Sequence, residues 1–452
     1  MKKRKRILSF SPVQWITSGF LGLILLGASI LMLPISSRNG MQTEFLDALF
    51  TATSAICVTG LTTVTTSEHW SVFGQSIILL LIEIGGLGFM TIPIFFFVLM
   101  KQKVALSTRM ILREAFNTEQ MSGEIKVLFS VVKIAFSIQG IGMVLLAFRF
   151  VPLFGWGKGL WYSLFHAVSS FCNAGFDLFG DSLVGFQNDP WVLMVISCLI
   201  ISGGLGFFVW HDVLTMKQAR HRLSLHSQIA LRVTGTLLFI GIIGFFITEY
   251  NNSNFWTGSI IHRFFNTIFL SVTPRTAGFF SIDYFSMSHA GLMLTMLLMF
   301  IGGTSGSTAG GFKTTTFGVL LIKMYSTFHG RSRAEFRERT IREESVSRAF
   351  VLFFMFLTVI IISTMILSVT ETIPNVNQLG LEYIVFEVIS AIGTVGLTMG
   401  LTPELSSIGK IVVAILMFLG RVGVLTVFFS LIIKENKVEV KIKYPEETVI
   451  IG

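Results

Sequence analysis

A glycine-rich run in the middle of an apolar segment constrains the fold of this chain more than any other feature. The run extends from Ile301 to Lys313 and contains five glycines and four Ser or Thr residues. The apolar segment around it, about residues 287–321, is long enough to cross a bilayer. Because glycine destabilises a helix by about 1 kcal/mol per residue, we expect the helix to break here. Irregular backbone at membrane depth is tolerated only where protein buries it or water lines it, so the run predicts a transport path.

The composition is that of a multi-spanning membrane protein. Of the 452 residues, 52% are hydrophobic and only 13% are charged, whereas soluble domains carry about 25% charged residues. Eight apolar runs are near or above the length of a spanning helix. They lie at about 13–36, 72–100, 126–151, 190–213, 229–249, 287–322, 347–370 and 405–433. We therefore predict an all-α integral membrane protein with eight spanning helices.

The basic residues indicate how the spans are oriented. Most of the 34 Lys and Arg residues lie before the first span, after the second, fourth and sixth, or after the eighth. If the spans alternate, these segments share one side, which the positive-inside rule makes cytoplasmic together with both termini. This placement explains the net charge of +9 without a nucleic-acid partner. Acidic residues on the other side either concentrate cations at an outer mouth or are plain solvated residues. They are Glu44, Asp47, Glu68, Asp177, Asp181, Asp189, Asp283, Glu371, Glu382 and Glu404.

Four repeats of about 110 residues organise the chain. In each repeat an outward loop holds a segment of about 12 residues, too short to span a membrane, that ends at a glycine. These segments end at Gly60, Gly175, Gly278 and Gly396. A second glycine cluster follows 24–28 residues later, starting at Gly85, Gly203, Gly302 and Gly420. Each repeat is therefore predicted to contain a spanning helix, a re-entrant half-helix (the pore helix) and a second spanning helix, with four such units pseudo-symmetrically arranged around one central ion pore.

The predicted boundaries follow from these repeats. Repeat 1 is 13–100, repeat 2 is 101–214, repeat 3 with the broken inner helix is 215–325, and repeat 4 with its preceding cytoplasmic loop is 326–433. Residues 1–12 and 434–452 are predicted to be cytoplasmic.

The four glycine loops predict an ion selectivity filter. A half-helix that enters from outside points its C-terminal end, worth about −0.5 charge, toward the bilayer centre. Loop carbonyls beyond it can replace the hydration shell of a cation, and glycine permits the backbone conformation and the close approach. A glycine that merely ends a helix explains any one loop but not four in register. The predicted filter residues are Val58, Thr59, Gly60, Asn173, Ala174, Gly175, Thr276, Ala277, Gly278, Thr394, Val395 and Gly396.

The broken segment and a charged residue predict a gate. Arg421 lies in the middle of the last span, where a charge costs at least ~2.5–3.5 kcal/mol, so it should face the pore. Glu83, near the equivalent glycine pair of repeat 1, is a candidate charge partner. Lys313 is expected either to bind freed carbonyls or to reach the cytoplasmic interface. The predicted gating residues are Gly302, Gly303, Thr304, Ser305, Gly306, Ser307, Thr308, Ala309, Gly310, Gly311, Lys313 and Arg421.

Other polar residues near the loops are predicted to brace the filter rather than to line it. They are Arg275, His166, Asn266 and Glu387.

With these motifs, the chain resembles the membrane subunit of the Trk/Ktr/HKT potassium transporter superfamily, in particular the bacterial Ktr type. The resemblance covers essentially the whole chain and rests on the four loop glycines, the later glycine pairs, the segment Gly302–Lys313 and Arg421. It implies Na⁺-stimulated K⁺ uptake across the cytoplasmic membrane, with Gly302–Lys313 as the gate. It also implies a homodimer docked on a cytosolic ring of nucleotide-binding regulatory subunits. No organic cofactor is expected.

The basic residues between Arg331 and Arg348 could serve that ring or anionic lipid, and the sequence favours neither.

Two other classes of function were weighed. An ion-coupled secondary carrier for another cation, such as Na⁺, predicts inverted repeats, whereas all four repeats here start on the same side. An intramembrane serine protease is suggested by Gly303-Thr-Ser-Gly306, but its nucleophile needs a base within hydrogen-bond reach of Ser305. The candidates His262 and His289 are expected near the outer surface. We therefore predict no catalytic residue and no metal site.

Overall fold

Four similar units follow one another along the chain, here called repeats 1 to 4. The structure is a computed structural model and describes residues 12–88, 124–219, 223–252, 259–373, 380–431, 445 and 447. The predicted cytoplasmic segments 1–12 and 434–452 thus lie almost entirely outside the described residues, as does the junction of repeats 1 and 2. Each repeat has a long outer helix, a short pore helix and an inner helix.

The first two repeats show this plan. Repeat 1 contains the outer helix α1 (Pro12–Leu31), the pore helix α2 (Phe45–Cys57), the short α3 (Thr66–His69) and the inner helix α4 (Val72–Leu87). Repeat 2 contains the outer helix α5 (Glu124–Phe154), the pore helix α6 (Trp156–Cys172) and an inner helix in two parts, α7 (Pro190–Gly204) and α8 (Phe207–Ala219). Short 3₁₀ turns lie at Pro34–Ser36 and Val184–Phe186.

The last two repeats follow the same order. Repeat 3 contains the outer helix α9 (Leu225–Thr248), the pore helix α10 (Ile260–Val272), a 3₁₀ turn (Tyr284–Ser286) and the inner helices α11 (His289–Phe300) and α12 (Thr314–Phe328). A hairpin of β1 (Glu335–Phe336) and β2 (Arg339–Thr340) precedes repeat 4. Repeat 4 contains the outer helix α13 (Glu343–Thr370), the pore helix α14 (Glu382–Gly393), the short α15 (Leu401–Glu404) and the inner helices α16 (Ser407–Val422) and α17 (Val424–Leu431).

The inner helices depart from the sequence prediction, which expected only the third to be broken. The second bends by 92° between α7 and α8, and the fourth bends by 99° between α16 and α17. The bends fall at Gly206 and Gly423, whose φ angles are +93° and +96°, and Gly88 after α4 has a φ of +88°. A positive φ cannot continue a right-handed helix, so these glycines end it.

The described residues allow some of the spans to be identified directly. Within the described residues, the four outer helices are long and apolar enough to cross a membrane, and each bent pair could supply one further span. The predicted run 72–100 continues beyond Gly88 outside the described residues. The chain is thus an all-α multi-pass protein whose inner helices are interrupted.

The inner helices begin with matching caps. The caps Ser71, Ser288 and Ser406 each accept a hydrogen bond from a glycine N–H three residues on, at 3.0–3.2 Å. In repeats 3 and 4 a glutamate at the end of the outer helix binds the cap hydroxyl, Glu249 at 2.5 Å and Glu371 at 2.6 Å. In these two repeats the contacts join the end of the outer helix to the start of the inner helix.

Several acidic residues that the sequence placed at an outer mouth have structural partners. Glu371 binds the cap of α16, Asp47 pairs with Lys410 (2.7 Å) and Asp189 pairs with Arg149 (2.5 Å). These three residues are therefore not plain solvated side chains, because each joins two helices.

The basic segment before repeat 4 is folded. Its hairpin turns through Arg337 and Glu338, which both have positive φ. Ala334 and Ile341 belong to a small apolar cluster with Ile229 on α9. The hairpin therefore presents its arginines from a defined surface rather than from a loose loop.

Candidate functional site: a ring of four glycines and the loop beneath it

The four loop glycines meet in a closed ring. The position that a Cβ atom would take on each glycine shows how close the segments are. On Gly60 this atom would lie 2.5 Å from the carbonyl oxygen of Ala174, and on Gly278 it would lie 2.5 Å from that of Val395. At Gly175 it would lie 2.9 Å from the oxygen of Ala277, and at Gly396 it would overlap the oxygen of Thr59. Each glycine thus faces the carbonyl preceding the next glycine, and the fourth closes on the first.

The residue two positions before each glycine has an uncommon backbone conformation. Val58, Asn173, Thr276 and Thr394 have φ angles of +57°, +61°, +72° and +50°. Three of them are β-branched, for which a positive φ is a genuine outlier that surrounding structure must enforce. The same departure thus recurs at the equivalent position of all four segments.

Hydrogen bonds to the pore helix hold this path. The N–H groups of Thr59, Ala174 and Val395 donate to the serine carbonyl at the last turn of each pore helix, at 2.8–2.9 Å. In repeat 3 the N–H of Ala277 donates to the carbonyl of Thr273 at 3.0 Å. The carbonyls of these same four residues are the ones that face the ring glycines.

The serine six residues before the glycine has a defined role. Ser54 and Ser390 accept hydrogen bonds from the N–H of Gly60 and Gly396, at 3.0 and 3.1 Å. Ser169 instead donates to the carbonyl of Phe176 at 2.8 Å. Repeat 3 has Val272 at this position, and the next residue, Thr273, donates to the carbonyl of Phe279. The hydroxyl thus ties the pore helix to the chain leaving the ring.

Three of the predicted bracing residues bind that same outgoing chain. His166 accepts from the N–H of Leu178 (3.5 Å), Asn266 accepts from Ser281 (2.8 Å) and Glu387 accepts from Thr398 (2.8 Å) and Thr402. All three are buried on pore helices. They clamp each segment from behind, so their side chains brace the ring and do not line it.

The segment Ile301–Lys313 lies against the pore-helix end of the ring. An added Cβ on Gly302 would lie 3.2 Å from the Thr276 methyl, and one on Gly310 would overlap the Thr394 hydroxyl. Thr308 donates to the carbonyl of Phe171 at the end of α6 (3.1 Å). The loop therefore touches three of the four repeats at the positions next to the ring.

Backbone hydrogen bonds anchor this loop to the other inner helices. Thr304 N–H donates to the carbonyl of Gly204 (3.0 Å), Thr308 N–H to that of Gly203 (3.3 Å) and Gly311 N–H to that of Gly420 (3.3 Å). Between the loop and the start of α12, Thr304 and Thr314 share a hydroxyl hydrogen bond of 3.1 Å, and Ser305 and Thr315 share one of 2.9 Å. These hydroxyl pairs connect the loop to the first turn of α12. Ser305 has a threonine partner and, among the described residues, no base.

Arg421 joins the loop to repeat 1. Its guanidinium donates to the carbonyls of Thr308, Gly85 and Gly86, the last at 3.1 Å. Such charge-assisted bonds are stronger than neutral ones. Arg421 therefore crosses from the last inner helix to the first and holds the middle of the loop between them.

Glu83 is not the partner of Arg421, contrary to the sequence prediction. Its carboxylate accepts from Gln139 Nε2 (2.9 Å) and Cys172 Sγ (3.4 Å), which lie on α5 and α6. Backbone carbonyls offered by the broken inner helices satisfy Arg421 instead, a possibility that a search for opposite charges overlooks. Lys313 likewise donates to a carbonyl, that of Ala309 (2.6 Å), which is one of its two predicted roles.

The fold resembles that of a solved membrane transporter. The crystal structure of the potassium transporter TrkH from Vibrio parahaemolyticus matches with a TM-score of 0.74 and 16% identity, covering 95% of this chain and 87% of that one. The two proteins thus share one fold.

Sequence comparison narrows this class. Residues 13–440 match the TrkH model, described as cation transport protein. The potassium/sodium uptake protein NtpJ of Enterococcus hirae is 58% identical over 100% of this chain and 99% of its own length. The Ktr system potassium uptake protein B of Bacillus subtilis is 41% identical over 98% and 97%. The chain belongs to the TrkH family of cation transport proteins, which confirms the resemblance noted from the sequence. It is an ion transporter and not an enzyme.

The inner-helix glycines explain why the pore helices can approach so closely. An added Cβ on Gly203 would overlap the carbonyl oxygen of Phe171. The same holds for Gly85 against Ile56 and Gly420 against Ile392. At the adjacent Gly204 a Cβ would lie 3.4 Å from the Asn173 amide, an ordinary contact.

We predict that Gly203→Ala destabilises the protein by about 1–3 kcal/mol because α7 must move off α6. Gly204→Ala, one residue on, should change stability by less than about 0.5 kcal/mol. Thermal unfolding of the purified variants in detergent would compare them. Equal midpoints for the two variants would contradict the close helix contact.

Proposed function

We propose that this protein carries out potassium uptake through its central pore, with the glycine ring as selectivity filter. The ring is the observation that carries the proposal. Four carbonyls, those of Thr59, Ala174, Ala277 and Val395, converge where four pore-helix C-termini point, and both features stabilise a dehydrated cation. The names of the relatives from Enterococcus hirae and Bacillus subtilis support K⁺ as the ion.

Na⁺ has two roles in this proposal. Na⁺ acts as an activator of K⁺ uptake, and the name of the Enterococcus hirae relative also supports Na⁺ as a second transported ion. A ring with one glycine per repeat offers fewer successive carbonyl layers than a potassium channel filter, so weaker discrimination against Na⁺ is expected. The carrier alternative with Na⁺ as cargo is tested by the same selectivity measurement.

The segment Gly302–Lys313 acts as the gate in this proposal. It lies directly next to the ring, and Arg421 holds it there through the carbonyl of Thr308. The positive charge of Arg421 also opposes a cation that leaves the ring. Because a gate must open, the closed arrangement should be favoured by only a few kcal/mol.

The partners complete the proposal. A homodimer in the cell membrane docks on a cytosolic ring of nucleotide-binding regulatory subunits, and the termini are cytoplasmic. The arginines of the hairpin between α12 and α13 are exposed and suit either that ring or anionic lipid. The repeat boundaries at 100, 214, 325 and 433 belong to the same proposal.

The filter assignment predicts the effect of Gly278→Ser. Its Cβ would press on the carbonyl of Val395 at a φ of +78°, which an L-residue adopts poorly. Discrimination between K⁺ and Na⁺ uptake should fall about tenfold or more, equivalent to about 1.4 kcal/mol. Gly140→Ser on α5, where an added Cβ meets nothing within 4 Å, is the control. Unchanged ion selectivity in a folded Gly278→Ser protein would refute the assignment.

The gate assignment predicts the effect of shortening the loop. Deleting residues 306–309 removes the Thr308 carbonyl that Arg421 binds, so ion flux should rise and no longer depend on a regulatory partner or nucleotide. Arg421→Ala should raise flux less, because it loosens the loop without removing it. Flux of ⁸⁶Rb⁺ into proteoliposomes measures both. A stable deletion variant that conducts no faster would place the gate elsewhere.

The proposed orientation predicts which loops are reachable from outside. Single cysteines at the exposed positions Asn251 and Ser332 are introduced after removal of Cys57, Cys172 and Cys198. A membrane-impermeant maleimide added to intact cells should label the first and spare the second. Equal labelling of the two sites would show that the assignment of sides is wrong.

A further inference from the structure

Arg275 is a buried arginine whose Nε has no hydrogen-bond partner among the described residues. It precedes the ring glycine Gly278 by three residues, and its side chain is 7% exposed. Within the described parts of the chain, its guanidinium makes one long hydrogen bond, from Nη2 to Thr234 Oγ1 (3.4 Å), and its Nε has no partner. A guanidinium has five N–H donors, and buried donors without partners are unfavourable. A rearrangement that brought further acceptors to the guanidinium would therefore be favourable.

The guanidinium lies beside the end of a broken helix. Arg275 lines a small cavity of about 10 Å³ together with Ile200, Gly204 and Gly303. Helix α7 ends at Gly204 because Gly206 has a positive φ. The last carbonyls of a helix carry its negative end, which attracts a cation. Arg275 and Gly204 thus border the same small cavity, and Gly203 precedes Gly204 on α7.

The loop proposed as the gate binds the last carbonyls of α7 in this structure. The carbonyl of Gly204 accepts from Thr304 N–H (3.0 Å), and that of Gly203 accepts from Thr308 N–H (3.3 Å). If the loop moves away, both carbonyls lose these donors. Left without partners inside the protein, they would oppose opening.

We propose that Arg275 stabilises the open gate by donating to the carbonyls of Gly203 and Gly204 when the loop leaves them. This inference rests on the proposed function, because it requires the loop to be the gate. Arg275 is then a positioning residue for the end of α7, and it does not contact the ion. Arg421 and Arg275 have opposite effects on the gate. Arg421 stabilises the closed gate by binding the Thr308 carbonyl of the loop. Arg275 stabilises the open gate by binding the carbonyls of Gly203 and Gly204, which the loop has then left.

A brace for the filter is the competing role for Arg275, and it makes different predictions. A brace acts whether or not the loop is present, and its loss should alter ion selectivity. It also acts through the contact seen here, so Thr234→Val should reproduce the effect of an Arg275 variant. If Arg275 instead stabilises the open gate, it should affect flux only in a protein whose loop is present and must move.

The test combines Arg275→Met with deletion of residues 306–309. Flux of ⁸⁶Rb⁺ and its competition by Na⁺ are measured in proteoliposomes for four proteins, in which the loop is intact or deleted and Arg275 is retained or substituted. With the loop intact, R275M should lower flux roughly tenfold, the order expected for one charge-assisted hydrogen bond. With the loop deleted, R275M should change flux by less than about twofold. Selectivity should be unchanged, and T234V should match the parent protein.

Each alternative outcome has a distinct meaning. An equal loss of flux in both backgrounds, altered selectivity, or the same loss in T234V would overturn the role of Arg275. A deletion that fails to raise flux would overturn the gate itself, whatever R275M does. If R275M does not reach the membrane, R275K replaces it, and its smaller loss must again be confined to the intact loop. Lysine keeps the charge but lacks the planar fork of donors.

Discussion

The close approach of four backbone segments at one ring determines the rest of this structure. Each ring glycine faces the carbonyl that precedes the next, so no side chain fits at these positions. For the segments to come this close, the pore helices must contact the inner helices with no side chain between them. Glycines such as Gly85 and Gly203 permit that contact. The close approach also forces Val58 and its equivalents into strained backbone, held by hydrogen bonds to the pore-helix ends. The tight ring therefore accounts for both the strained backbone beside it and the glycine clusters of the inner helices around it.

The broken inner helices follow from the same geometry and supply the chemistry below the ring. A helix that ends at mid-depth leaves carbonyls without partners, and inside a membrane these need donors. The loop after α11 provides them through Thr304 and Thr308, while Arg421 takes up carbonyls of the loop and of Gly85. In this view Arg421 needs no carboxylate, because the breaks themselves create its acceptors. The loop and the arginines share one limited set of carbonyls, so moving one group must affect the others.

Much of this could be predicted from the sequence, because the ring depends on repeated local features. Four glycines in register mark the segments that form the ring, and the density of glycine between Gly302 and Gly311 predicts a break. The bends at Gly206 and Gly423 were missed because a single glycine in an apolar run is compatible with a helix until its φ is known. The partners of Glu83 were missed for another reason. Gln139 and Cys172 are distant in sequence and reach it only through the packing of α5 and α6 on α4.

The proposed potassium uptake depends on one cation being held by all four repeats at the ring. Anomalous X-ray scattering from crystals grown with Rb⁺ in place of K⁺ tests it most directly. We expect a peak on the axis of the ring, with the carbonyl oxygens of Thr59, Ala174, Ala277 and Val395 as its nearest protein atoms. Rb⁺ peaks that lie only elsewhere, for example beside the Glu83 carboxylate, would contradict the account.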